Sequence, residues 1–386
     1  MVAEVAITVV LVVVGAQLLG NFLHLLGTDP GFEADRLVAS IVIPSSERYH
    51  SAEDRAIANR RFLDAVRAIP GVVSVGAVDA LPFSGENHGG FITNSQAAVM
   101  NPSNQMVAEV DVVSPDYLQT LGVRLSNGRW FNEEDSQDSS DTAIVNDVAA
   151  SRLWPGEDPI GKRVCVFCTP ENPNRWKRVV GVVSTVRHAD LDRPAQPNVY
   201  TSASSLKRAV FIVTRTSRPA EEVEKEIRQA VAKVDPNQPV FLSASMRALI
   251  ADSLADRRFI TTLLGITGFL ALVMSIAGVY GVTSYFTSRR TQEIGVRMAL
   301  GASRANVLAM VFRQGFINAA LGLLIGVGST AVAIPFLRGT LVGFEFRSFG
   351  SSAIAVCLVC GMAAVSCLFP AQRAAKIEPM SALRQE

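Results

Sequence analysis

Four stretches of this 386-residue chain contain no Asp, Glu, Lys or Arg, and each is long enough to cross a lipid bilayer. They are 24 residues between Glu4 and Asp29, 30 between Arg258 and Arg289, 24 between Arg313 and Arg338, and 25 between Arg347 and Arg373. A bilayer core takes about 20 apolar residues in a helix, and the core helices of soluble proteins seldom run past about 20 residues without a charge. The expected fold class is a membrane protein with four transmembrane α-helices, one before and three after a large inserted α+β domain. The first run reads as an anchor, because its apolar stretch is longer than that of a cleaved signal, and neither a basic flank nor a small-x-small cleavage site accompanies it.

Basic residues in short loops set the orientation. Five arginines (Arg289, Arg290, Arg297, Arg304, Arg313) lie between the second and third runs, and Arg373, Lys376 and Arg384 follow the fourth. Only Arg338 and Arg347 lie in the short loop between the third and fourth. The expectation is an inner-membrane protein with both termini and residues 289–313 in the cytoplasm and residues 29–258 outside it. Over the whole chain 36 Lys+Arg face 35 Asp+Glu, a balance that argues against a nucleic-acid binder.

The expected domains are helix one at 1–28, the insert at 29–258, and a helical domain at 259–386 with helices near 260–286, 314–337 and 348–370. Within the insert, two α/β units at 29–105 and 205–258 are expected to flank a β-rich part at 106–204. Residues 53–68 place Ile57, Phe62, Leu63 and Val66 roughly on one helical face, and residues 219–234 place Val223, Ile227, Ala230, Val231 and Val234 on another. Apolar alternation marks strands in VVSVGAV, VAEVDVVS, DTAIVN, KRVVGVVSTV, RAVFIVTRT and VFLSAS.

Motifs of catalysis do not stand up. Gly156 to Lys162 matches the start of a phosphate-binding loop, but Arg163 replaces the Ser/Thr that would hold Mg²⁺, and Glu157 and Asp158 would repel phosphate. No ATPase site and no other enzyme activity is expected in this chain, and no cofactor or metal is expected to bind it. Cys165 and Cys168 form a CxxC in a strand-like context, which reads as one local disulfide or two free thiols rather than a redox site. Zinc there would need two further ligands, and His24, His50, His88 and His188 are scattered without paired spacing. Cys357, Cys360 and Cys367 fall in the last helix as small apolar residues. Gly322 and Gly326, a GxxxG pair followed by Gly328, suit close helix packing, as do Gly278 and Gly281.

The segment RRTQEIGVRMALGASRANVLAMVFRQ, residues 289–314, is basic and amphipathic and belongs at the cytoplasmic interface. Its core EIGVRMALGAS, with PAQRAAKIEPMSALRQE at the C-terminus, resembles the FtsX-like permease module of MacB-type ABC transporters. DPGF (29–32), VSPDYLQTLGVRLSNGRWF (113–131), VNDVAASRLWPGEDPIGKRV (145–164) and VVGVVSTVRHADLDRPAQPNVY (179–200) resemble the MacB-like periplasmic core domain. The wording is also similar to one unit of the duplicated orphan permeases, nearest their second half, and the abrupt start at the first helix suggests a truncated or split gene product.

The resemblance implies a permease subunit whose energy comes from a separate cytoplasmic ABC ATPase that uses ATP. Glu293, Gly295, Arg297, Leu300, Gly301 and Ala302 would face that ATPase. Helical extensions at Leu18–Leu26 and Leu254–Phe259 would form a stalk passing motion outward, and Pro370 to Met380 would lie beside the ATPase. The resemblance further implies a homodimer, or pairing with a second permease half, and a possible periplasmic or envelope partner. The competing reading is a membrane scaffold or regulator of an envelope protein without substrate flux, or an inactive half of a duplicated permease.

Overall fold

The computed structural model describes residues 2–45, 47–85, 88–136, 141–188, 191, 194–202, 210–289, 313, 317–332, 350, 353–362 and 364–365. The chain divides into a helical unit, residues 1–27 and 256–386, and a central unit, residues 28–255.

The helical unit opens with α1 (Val2–Leu26), followed in the central unit by β1 (Leu37–Val42), α2 (Ala52–Arg67), β2 (Val72–Val78), β3 (Gly89–Thr93), α3 (Gln96–Met100), β4 (Met106–Val113), α4 (Tyr117–Leu121), β5 (Leu125–Gly128), β6 (Thr142–Asn146) and α5 (Asp147–Leu153). Next come β7 (Arg163–Val166), β8 (Trp176–Val183), β9 (Asn198–Ser202), β10 (Val210–Thr216), α6 (Ala220–Val234), β11 (Val240–Ser245) and α7 (Met246–Ser253). The helical unit resumes with α8 (Ala255–Arg289), and then α9 (Ile317–Val332) and α10 (Ala353–Met362).

The two flanking α/β segments fold together. Strands β11-β1-β10-β2 lie side by side, every neighbouring pair antiparallel. With β1-α2-β2 and β10-α6-β11 as its halves, this is the split βαβ, or ferredoxin-like, arrangement, with the β-rich part inserted between the halves. Helix α2 starts at a capping box in which the Ser51 hydroxyl accepts from Asp54 N and the Asp54 carboxylate from Ser51 N. It buries Ala58, Phe62 and Val66, one per turn, against Val223, Ile227 and Val231 of α6 and Val38, Val75, Val210 and Ile212 of the sheet. The expected faces are narrower than periodicity suggested: Ile57 and Val234 are exposed and Leu63 is half-buried.

The β-rich part closes on itself. The pairings β4–β3, β3–β7, β7–β8, β8–β6, β6–β9 and β9–β4 form a ring of six strands, with β6–β8 and β4–β9 parallel. Its interior holds Ile92, Ala108, Val110, Val145, Val164, Val179 and Val199, the inward set of alternating positions. The ring takes in β3, which lies inside the 29–105 stretch expected as the first α/β unit, because Phe91 and Ile92 pair with Val107 and Met106 of β4. Ring and ferredoxin-like sheet meet where β2 pairs with β4 at Val78 and Val113.

In the helical unit, α1 and α8 are each long and apolar enough to span a membrane, and α9 and α10 are shorter apolar helices. Val5, Val9 and Val13 of α1 pack with Val279, Ala355 and Val359. The Thr8 hydroxyl donates to Ala271 O at 3.2 Å. The small residues sit at the close approaches: β-carbons added at Gly322 and Gly326 would lie 2.8 Å and 2.6 Å from the β-carbons of Val5 and Val9. Gly281 and Gly328, also expected to serve packing, meet nothing within 4 Å.

Candidate functional site

The residues expected to face an ATPase, Glu293, Gly295, Arg297, Leu300, Gly301 and Ala302, lie outside the described residues, as does the tail from Pro370 to Met380. Leu18–Leu26 falls within α1, and α8 begins at Ala255. The phosphate-loop look-alike is a turn with Gly156 and Gly161 at positive φ, and the Lys162 ammonium is paired with the Glu157 carboxylate. Cys165 and Cys168 are joined in a disulfide and buried with Val99 and Trp176.

Chemistry gathers instead where the ferredoxin-like sheet meets the ring. Strand β4 points Ala108 and Val110 into the apolar ring, so Glu109 and Asp111 fall on its other face. Parallel pairing sets Asn198 and Tyr200 of β9 opposite Glu109 and Asp111. The loop after β8 brings His188 between the two carboxylates. Its Nδ1 contacts Glu109 Oε2 and its Nε2 is 3.3 Å from Asp111 Oδ2. The Asn198 amide donates to Asp111 Oδ2 at 2.9 Å and lies 3.3 Å from His188 Nδ1.

Two more residues border the cluster. Asp79, just past β2, accepts from Val112 N at 2.8 Å, and its own N–H donates to Val112 O. His88, just before β3, lies with Nδ1 3.2 Å from Asp79 Oδ2, and its carbonyl accepts from Val110 N. Asp79, His88 and Asp111 each offer a ligand atom within 4.8 Å of the others. Nearby, Phe83 is held at φ 63°, and its N–H donates to the His188 carbonyl.

Burial dominates the electrostatics. It pushes the Asp111 carboxyl up to about 6, against the pull of His188 and the Asn198 amide, and it raises Asp79 as well. For His188 burial opposes the charged ring, but the Glu109 hydrogen bond and the Asp111 and Glu109 charges outweigh it and raise the pKa. Burial and the Asp111 charge hold the Tyr117 and Tyr200 hydroxyls well above the ordinary phenol range.

The histidines that looked scattered in sequence are thus not all isolated: His88 and His188 converge on Asp111 from opposite sides of a hundred-residue gap in the chain. Spacing could not show this, because the cluster draws on five separate segments. The one local signal was the pair of carboxylates alternating with valines in VAEVDVV. Segments of the family-like wording also meet here. Pro30 of DPGF accepts from Arg187 N, and a β-carbon on Gly31 (φ 87°) would lie 2.0 Å from Thr185 O, so DPGF and STVRH pack backbone to backbone.

A profile of the MacB-like periplasmic core domain matches residues 5–230, and one of the FtsX-like permease C-terminal region matches residues 265–379. The chain belongs to the MacB/FtsX permease family, a membrane protein carrying a periplasmic domain. It is 23% identical over 306 residues to the macrolide export ATP-binding/permease protein MacB of Neisseria gonorrhoeae, covering 76% of this chain and 46% of that one. To the pyoverdine export ATP-binding/permease protein PvdT of Pseudomonas aeruginosa it is 23% identical over 282 residues, covering 70% and 41%. The chain spans less than half the length of these relatives. The periplasmic region of MacB from Actinobacillus actinomycetemcomitans matches with 17% identity and a TM-score of 0.40, covering 58% of this chain and 95% of that one.

Proposed function

We propose that this chain is the permease subunit of an ABC-type complex, coupling ATP hydrolysis by a separate cytoplasmic ATPase to movement of its periplasmic domain for export or handling of an envelope substrate. The observation that carries this reading is the order of the two family matches on one chain, periplasmic core at 5–230 and FtsX-like permease at 265–379. The relatives named MacB and PvdT are described as ATP-binding/permease proteins. This chain aligns with less than half of each and has no phosphate-binding loop at its one look-alike, Gly156–Lys162. An ATPase acting in trans is the arrangement this reading takes for the family's ATP-binding part.

Four segments cross the membrane, near residues 1–28, 260–286, 314–337 and 348–370; the glycine approaches between α1 and α9 support their packing. Both termini and residues 289–313 are cytoplasmic, following the arginines. The permease works as a homodimer or with a second permease half. The ATPase docks on Glu293, Gly295, Arg297, Leu300, Gly301 and Ala302. For ATP to move the periplasmic domain, the ATP-bound ATPase must bind one helix packing more tightly than the other.

Copurification from mild detergent tests this, with the bound proteins identified by mass spectrometry. Wild type is compared with Glu293→Arg combined with Gly301→Trp. An ATP-binding subunit retained by wild type and lost by the double variant is expected. Absence of any ATPase from both samples would overturn the reading and leave a scaffold protein in its place.

A further inference from the structure

We propose that Asp79, His88 and Asp111 form a divalent metal site in the periplasmic domain, at the joint between the ferredoxin-like sheet and the six-stranded ring, with His188 and Asn198 orienting Asp111. The end of β2, the start of β3 and the body of β4 supply one ligand atom each, within 4.8 Å of one another. Bonds of about 2.1 Å at tetrahedral angles put ligand atoms ~3.4 Å apart. His88 Nδ1 and Asp79 Oδ2 already stand at 3.2 Å, and no separation in the set exceeds 4.8 Å.

The surroundings fit a cation. Asp79, Glu109 and Asp111 place three carboxylates around two imidazoles, with Asp111 2% exposed. Asn198, 1% exposed, gives its amide N–H to Asp111 and leaves its carbonyl oxygen Oδ1 buried with no hydrogen-bond partner. The Tyr200 hydroxyl, in a residue paired in register with Asp111, is also buried without a partner. An orphaned carbonyl acceptor and an orphaned hydroxyl beside a ligand set match a site that takes a hydrated ion. His188 touches Asp111 through one nitrogen and Glu109 through the other, so the ligating carboxylate is itself held in place by a partner, as metal-bound carboxylates are.

Access and identity follow from exposure and donor type. The His88 ring is 40% exposed and the Asp79 carboxylate 19%, so an ion enters from the His88 side and Asp111 closes the bottom. One imidazole and two carboxylates select a borderline first-row dication such as Zn²⁺ or Mn²⁺ over Ca²⁺, and leave a position for water. Bound there, the ion ties the end of β2, the start of β3 and β4 together at the joint between the ferredoxin-like sheet and the ring. The site is independent of whether an ATPase works with this chain.

The test uses the full chain, purified in detergent without a histidine tag, stripped with EDTA and titrated with Zn²⁺ alone. One equivalent per chain by mass-spectrometric metal analysis is expected, with His88→Ala weakening binding by more than about tenfold. Asp111→Asn should abolish binding, and His50→Ala, exposed and outside the ligand set, should leave it unchanged. Should Asp111→Asn fail to fold, His88→Ala carries the test, since its ring is substantially exposed. Less than about one tenth of an equivalent in wild type, or wild-type affinity in His88→Ala, would overturn the site.

Discussion

Gly326 of α9 faces Val9 of α1 so closely that a β-carbon at 326 would lie 2.6 Å from the Val9 β-carbon. Such an approach leaves room only for hydrogen and lets the two backbones pack. Gly326→Leu is therefore expected to overpack this contact and cost about 1–3 kcal/mol of stability in detergent. Gly328→Leu, whose β-carbon meets nothing within 4 Å, should stay within about 0.5 kcal/mol of wild type. Unfolding midpoints of the purified full chain, compared between the two variants, check this.

In the periplasmic domain a comparable contact is Gly76 of β2 beneath Tyr117 of α4, where an added β-carbon would stand 2.4 Å from the Tyr117 Cα. The obstacle is backbone, which cannot rotate away. Gly76→Val should lose about 2–4 kcal/mol, while Gly89→Ala, open to solvent at the start of β3, should be near neutral. Urea unfolding followed by tryptophan fluorescence separates the two.

Arg129 grips Asp135 with both terminal guanidinium nitrogens, Nη1 and Nη2, at 2.5 and 3.1 Å, and the Asn132 N–H donates to the same carboxylate. Burial works to raise the Asp135 pKa, but these hydrogen bonds outweigh it and hold it below its ordinary 3.8. A depressed carboxylate contributes stability above its unfolded pKa and loses it as pH falls through the folded one. Asp135→Asn should thus cost about 1.5–3 kcal/mol at pH 7, with the gap to wild type closing below pH 3.8. Denaturation at a series of pH values tests the sign directly.

Local order was legible in the sequence, and assembly was not. The run VAEVDVV announces β4, and its alternation even separates the valines of the ring core from Glu109 and Asp111. The charge-free runs announced α1 and α8. What alternation cannot tell is which strand pairs with which. That β1-α2-β2 and β10-α6-β11 share one sheet across more than a hundred intervening residues depends on contacts such as Phe211 with Val78. The Asp111 cluster was hidden for the same reason, since Asp79, His88, His188 and Asn198 reach it from separate loops and strands. Ile57 shows the remaining error: a large apolar residue one position off the Ala58–Phe62–Val66 stripe faces solvent.

The proposed coupling to ATP hydrolysis is tested most directly by a spin-label distance in a nanodisc-reconstituted complex of this chain with an ATPase that copurifies with it. Cysteines replace Val73 in the periplasmic domain and Leu324 in α9, both exposed, with Cys357, Cys360 and Cys367 changed to Ser. Coupling predicts that ATP with vanadate shifts the distance distribution by more than about 5 Å, the scale of one helical turn. A distribution identical with and without nucleotide, in a complex that still hydrolyses ATP, would contradict the coupling of hydrolysis to the periplasmic domain.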